Sequence, residues 1–221
     1  MRTGDATVAI VCETIRDEYT DAAEKCGCGY ETRWIESGLH NFPKRLKTAL
    51  QREFDAVDAE RVLLCFGTCG NSIAGLETRD FELVMPRVDD CISLLIGSVA
   101  ERMKINSEHA SYFLTAGWLR GERNIYVEYE YSIKKYGEEL GKSIMETMLA
   151  NYKYLSLLDT GSYDIAPARA ESEKIARELG LGLRVIPATV NYISELLTGP
   201  HSHERFFVFP PNTKIEDVTI Y

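Results

Sequence analysis

The regular alternation of short apolar runs with segments of helical period is what most constrains how this chain folds. Runs at Ala6–Val11, Glu31–Ile35, Val62–Phe66, Phe81–Met85, Ser111–Thr115, Tyr154–Leu158, Leu183–Ile186 and Arg205–Phe209 read as strands, and strands and helices alternate about seven times. That order predicts an α/β fold with a mostly parallel sheet and covering helices. Val62–Phe66 is apolar throughout, as a strand covered on both faces must be. Ile15, Tyr19 and Ala22–Ala23 give the first helical stripe, and Leu46, Ala49 and Leu50 give the second, with Asn41 as its cap and Pro43 in its first turn. Asp89 or Asp90 caps a helix carrying Ile92, Leu94, Leu95 and Ile96. The span from Asn124 to Leu149 divides into two helices at Gly137, and further helices run from about Ala166 to Leu179 and around Tyr192–Leu197. Val99–His109 is polar and mixed, and reads as a cover for a cleft. With 221 residues the chain can bury a sizeable core. It reads as a single domain, 1–221, or as two lobes, 1–108 and 109–221, around that cleft.

A formal net charge of −9 argues against broad contact with a nucleic-acid backbone, which needs a basic surface. No run approaches the roughly 18 apolar residues of a membrane-spanning helix, and the N-terminal stretch lacks the apolar centre of a signal peptide. The expectation is a cytoplasmic protein with no nucleic-acid or membrane partner, with homo-oligomer formation left open. Six cysteines are too few, in a chain this long, for a disulfide scaffold. In a reducing compartment they are buried, ligating or reactive, and burial is the default for each.

The cysteines concentrate where strands end. Cys12 closes the first run, His40 follows the second, Cys65 and Cys69 follow the third, and Asp89, Asp90 and Cys91 follow the fourth. In an open parallel sheet, residues after different strands meet above the carboxyl edge. Cys12, His40, Cys69, Asp89 and Cys91 are therefore candidate metal ligands. Thiolates with one nitrogen suit zinc, and softer ligation suits an iron–sulfur cluster. Within the turn Gly67-Thr68-Cys69-Gly70-Asn71, the residues Gly67, Thr68, Gly70 and Asn71 can bring backbone amides to an anion or cofactor. The turn matches neither the dinucleotide fingerprint nor the phosphate loop, so no nucleotide is inferred. Cys91 falls in a first helical turn, where the helix field favours a thiolate. It is the candidate nucleophile, with His40 as base and Asp90 beside it. The bland alternative is a cap and a buried thiol. Cys65 points into the strand core on this reading, and Cys26-Gly27-Cys28-Gly29 is either a ligand pair or a turn whose thiols pack.

At these turns the chain resembles the uncharacterised prokaryotic family named domain of unknown function 1638. The resemblance is carried by Cys12, Gly38-Leu39-His40-Asn41, Phe66-Gly67-Thr68-Cys69-Gly70-Asn71 and Pro86-Arg87-Val88-Asp89-Asp90-Cys91. It continues through Tyr112-Phe113-Leu114-Thr115, Gly117-Trp118 and Phe207-Val208-Phe209-Pro210-Pro211. The family pattern often places histidine where this chain has Asp89; as a ligand, Asp89 would offer oxygen instead. The resemblance implies a role in the one-carbon metabolism of anaerobes and methanogens, with a corrinoid-dependent methyl-transfer protein as partner. It assigns no reaction. Three functions follow: a zinc or iron–sulfur protein acting on a small molecule, an accessory partner of a methyl-transfer enzyme, and a metal-independent thiol enzyme. A structural protein whose thiols only pack is the remaining reading.

Overall fold

A strand covered on both faces needs apolar residues in both directions, and β1 (Thr7–Cys12) meets that demand by burying every residue after Thr7. The computed structural model describes residues 6–121, 124–216 and 218–220. β1 is flanked in parallel by β2 (Glu31–Ile35) and β3 (Arg61–Cys65), β3 pairs in parallel with β4 (Glu82–Pro86), and β8 (Phe206–Phe209) closes that edge antiparallel to β4. The five-stranded order is therefore β2-β1-β3-β4-β8. β5 (Ser111–Leu114), β6 (Tyr154–Asp159) and β7 (Gly182–Pro187) form a second, wholly parallel sheet. The mixed α/β architecture expected from the alternation is thus the one observed, and β8 is its antiparallel exception.

The helices follow the predicted stripes with local corrections. α1 (Arg16–Cys26) buries Glu18, Tyr19 and Ala22, and α2 (Pro43–Ala56) buries Leu46, Leu50 and Phe54. Asn41 is not the cap of α2: it lies in the 3-10 turn Leu39–Asn41, and Phe42 takes the cap position ahead of Pro43. Asp90, and not Asp89, caps α3 (Cys91–Ile96). Val99–His109 is a helix, α4, whose N-terminal amides are met by Ser98 Oγ accepting from the Glu101 amide at 3.1 Å. Only Val99 of α4 is buried, so its polarity hid its period. A five-residue helix, α5 (Ala116–Arg120), follows β5 and is capped by Thr115. α6 (Ile125–Tyr136) and α7 (Glu138–Leu149) divide at Gly137 as expected; α8 (Ile165–Glu178) and α9 (Asn191–Thr198) complete the set. Residues 191–209 return to the first sheet, so a division of the chain near Glu108 separates the two sheets only as far as β7.

The two sheets share a core. The larger apolar cluster, built on β1, β3 and β4, takes in Phe113, Leu158 and Ile186 from the second sheet. Along the same junction α1 reaches across through Asp17 to Arg120 at 2.5 Å and Asp21 to Ser162 at 2.8 Å. α5 lies against the 3-10 turn Glu13–Ile15, and Gly117 is what allows this. A Cβ there would stand 2.0 Å from the Thr14 carbonyl oxygen, a backbone atom that cannot turn aside.

Gly117→Ala is therefore expected to lower folding stability by roughly 2 kcal/mol through overpacking at the junction. Gly29, where an added Cβ meets nothing within 4 Å, is the control, and its alanine variant should stay within about 0.5 kcal/mol. Urea unfolding of both variants checks this; equal stability would show that the junction yields freely.

Candidate functional site

The chain leaves β1 to build β2 on one side and returns to build β3 on the other, so the strand order reverses between the carboxyl ends of β1 and β3. Open α/β sheets leave a crevice at such a reversal. Here it holds a cavity of about 320 Å³ bordered by Cys12, His40, Cys69, Asp89, Asp90 and Cys91, with Glu36, Gly67, Gly70 and Trp118 among its other walls. The strand-end candidates for metal ligation or catalysis all lie on this one surface, whereas Cys26 and Cys28 do not. Thr68 and Asn71 do not line it, although Gly67 and Gly70 do.

Four segments deliver the polar groups. Cys12 ends β1. His40 belongs to the 3-10 turn after β2. Cys69 stands in the turn after β3, where Cys69, Gly70 and Asn71 all have φ between 42° and 66°. A non-glycine residue held in the left-handed region costs on the order of 1 kcal/mol, so the surrounding contacts must fix it. They do: the Thr68 amide donates to the Val88 carbonyl at 3.0 Å and the Cys69 amide to the Asp89 carbonyl at 2.8 Å. The Thr68 and Cys69 amides are thus consumed in joining two loops, so of Gly67, Thr68, Gly70 and Asn71 the amide of Thr68 is not free for an anion. Gly67 serves the same close approach, since a Cβ on it would meet the Asp90 amide nitrogen at 2.4 Å.

Asp89 is already occupied. Its Oδ1 accepts from Ser93 Oγ at 2.5 Å and from the Asp90 amide at 3.1 Å, and its Oδ2 accepts from Arg102 at 2.6 Å. A cation bound there would have to displace Arg102. Asp90 caps α3 by accepting from the Ser93 amide at 3.0 Å and lies 3.3 Å from Arg102. Burial raises its carboxyl above the ordinary range despite that arginine.

The thiols are desolvated. Burial pushes Cys12 and Cys69 up and pushes Cys91 well above the ordinary thiol value, with the Asp90 carboxylate the next contributor at Cys91. The expected thiolate at the start of α3 is therefore not favoured: α3 is only six residues long, and loss of water outweighs its field. Cys65 is wholly buried in the β3 core, as its place in the run suggested. Cys28 hydrogen-bonds weakly to the carbonyls of Cys26 and Leu197, away from the cavity, consistent with a packed turn.

His40 packs edge-on against Trp118, with ring centroids 4.7 Å apart. Burial lowers its pKa, so the ring is neutral near pH 7. Its Nε2 and the Trp118 Nε1 are both buried without a hydrogen-bond partner among the described residues. Two such orphans on one cavity wall call for a ligand or water. Among the described residues, no three His, Cys, Asp or Glu side chains are grouped closely enough to hold one metal ion.

Sequence reasoning missed Arg102, Glu36 and Glu18. Glu18 had a readable signal: with Ile15, Tyr19 and Ala22 it occupies one buried stripe of i, i+3, i+4 and i+7 positions. It is wholly buried at the junction of the sheets, where Oε1 accepts from Thr160 Oγ1 at 3.4 Å and Oε2 has no partner among the described residues. Burial lifts its carboxyl from 4.5 to about 7.

Residues 34–197 match the family described as "Protein of unknown function (DUF1638)", and the chain belongs to that family. The matched span includes His40, Cys69, the Asp89–Cys91 turn and Trp118, while Cys12 precedes it. No curated protein and no solved structure matches the chain.

The Glu18 carboxyl gives a signed pH dependence. Between pH 4.5 and about 7 the unfolded chain ionises this group while the folded chain keeps it protonated, so stability falls as pH rises through that window. The loss is about 3 kcal/mol at most. Glu18→Gln should remove that slope in urea unfolding measured from pH 4 to 8, whereas an unchanged slope would show that Glu18 does not titrate in this window.

Proposed function

We propose that this member of the family holds a soft metal centre in the switch-point cavity, ligated by Cys12, Cys69 and Cys91 with His40 as the nitrogen donor, and binds a small molecule against it. The observation that carries this reading is the convergence of three thiols and one unpartnered imidazole nitrogen, from four separate segments, on one cavity. The chemistry of the donors fits a soft metal. Of the two centres such donors suit, zinc and an iron–sulfur cluster, we take the cluster, because three of the four donors are thiols and thiolates are the usual ligands of such clusters.

When bound, such a centre supplies electron transfer or an open coordination position. The chain's own residues prepare the site for it. Burial keeps Cys12, Cys69 and Cys91 protonated, so loading the site releases protons and leaves the thiolates' charge to be balanced by the metal. Burial also holds His40 neutral, the form that can donate a lone pair. The same protonated thiols disfavour a metal-independent nucleophile, which needs a thiolate. The corrinoid-dependent partner and the one-carbon setting rest on the family resemblance alone, and nothing in the cavity adds to them.

Protein purified without air is expected to carry iron and acid-labile sulfide in comparable amounts, and both should fall to background in the Cys69→Ser, Cys91→Ser double variant. Folded protein free of metal after anaerobic reconstitution with iron and sulfide would overturn the proposal. So would a double variant that loads as fully as the parent.

A further inference from the structure

A second cavity, of about 360 Å³, adjoins the first. Glu36 lines both, and the adjacent residues Gly117 and Trp118 line the second and the first respectively. Its charged walls are Glu13, Arg16, Glu36 and Arg120, two of each sign, with Ser37 beside them. Arg16 is committed: its Nε and Nη2 both donate to Glu13 Oε1, at 3.0 and 2.6 Å, and its guanidinium lies 3.9 Å over the Trp34 ring. Arg120 is less so, since among the described residues it makes one hydrogen bond, from Nη2 to Asp17. Four of its five N–H donors therefore remain for a ligand. The Glu36 carboxylate makes no hydrogen bond or ion pair among the described residues.

A wall with equal numbers of both charges concentrates neither a simple anion nor a simple cation. It matches a ligand that carries both. Beyond Glu36 the first cavity has two further carboxylates, Asp89 and Asp90, both engaged by Arg102, and a neutral His40. The rest of its wall is thiols with Leu39, Leu46, Phe66, Ile92 and Trp118, which suit an uncharged, apolar or sulfur-bearing group. We infer that the small molecule of this site is a zwitterionic α-amino acid with an uncharged side chain. Its ammonium meets Glu36, its carboxylate meets Arg120, and its side chain enters the thiol cavity. This deepens the proposed function and rests on the same cavity being a small-molecule site.

Calorimetric titration of the full chain, purified without air, with L-methionine and L-leucine tests the inference, alongside methionine analogues lacking either the ammonium or the carboxylate. At least one of the two amino acids should bind, and each single-charge analogue should bind roughly tenfold or more weakly than methionine. Glu36→Gln and Arg120→Gln should each weaken amino-acid binding by a similar factor while leaving the iron content of the same samples unchanged. Analogues that bind as tightly as methionine, or no heat with either amino acid, would overturn the inference. Iron content, read separately on those samples, shows whether the metal proposal fails or stands on its own.

Discussion

The site depends on the meeting of two loops, the one after β3 and the one after β4. Thr68 and Cys69 donate their amides to the carbonyls of Val88 and Asp89, and Gly67 lets the two backbones approach to a distance no side chain would permit. With that contact in place, the left-handed turn at Cys69 is fixed, and Cys91 is brought to the same wall at the start of α3. Arg102 then ties the second loop to α4 through Asp89 and Asp90. Two of the backbone amides in that turn, those of Thr68 and Cys69, are here spent on holding the cavity wall in position.

The electrostatic character of the cavity follows from burial without compensation. Three thiols, a capping carboxylate and an imidazole all lose water, and Arg102 is engaged by both aspartates. Each group is driven towards its neutral form. Such a site is unsuited to thiolate chemistry by itself and suited to a metal centre that brings its own positive charge. At the sheet junction Glu18 shows the same effect, where a hydrogen bond from Thr160 and the charge of Arg120 do not offset its burial.

What the sequence reveals here depends on the range of the interaction. β1, β3 and β4 were legible because each is an uninterrupted apolar run between turn residues, and the convergence of their ends follows from parallel topology. α5 was not, because five residues cannot display a period, and α4 was masked by its exposure. The antiparallel entry of β8 and the return of α9 to the first sheet are long-range choices that local pattern does not encode. The candidate ligands were found from their positions at strand ends. Their protonation was misjudged at Cys91, because the helix start is visible in sequence and the surrounding burial is not. The capture of the Thr68 and Cys69 amides was invisible for the same reason, since their acceptors lie some 20 residues away.

The account's central claim is that Cys12, Cys69 and Cys91 act as one ligand set. Thiol alkylation of the native protein, read cysteine by cysteine by mass spectrometry before and after chelation under anaerobic conditions, addresses it most directly. The account predicts that these three are protected together in the loaded protein and label together once metal is removed, while Cys26 and Cys28 label alike in both states. Burial keeps the three protonated, so their labelling after metal removal is slow at neutral pH and faster as pH is raised. Independent labelling of the three, or labelling indifferent to chelation, would contradict it and leave the thiols as packing groups.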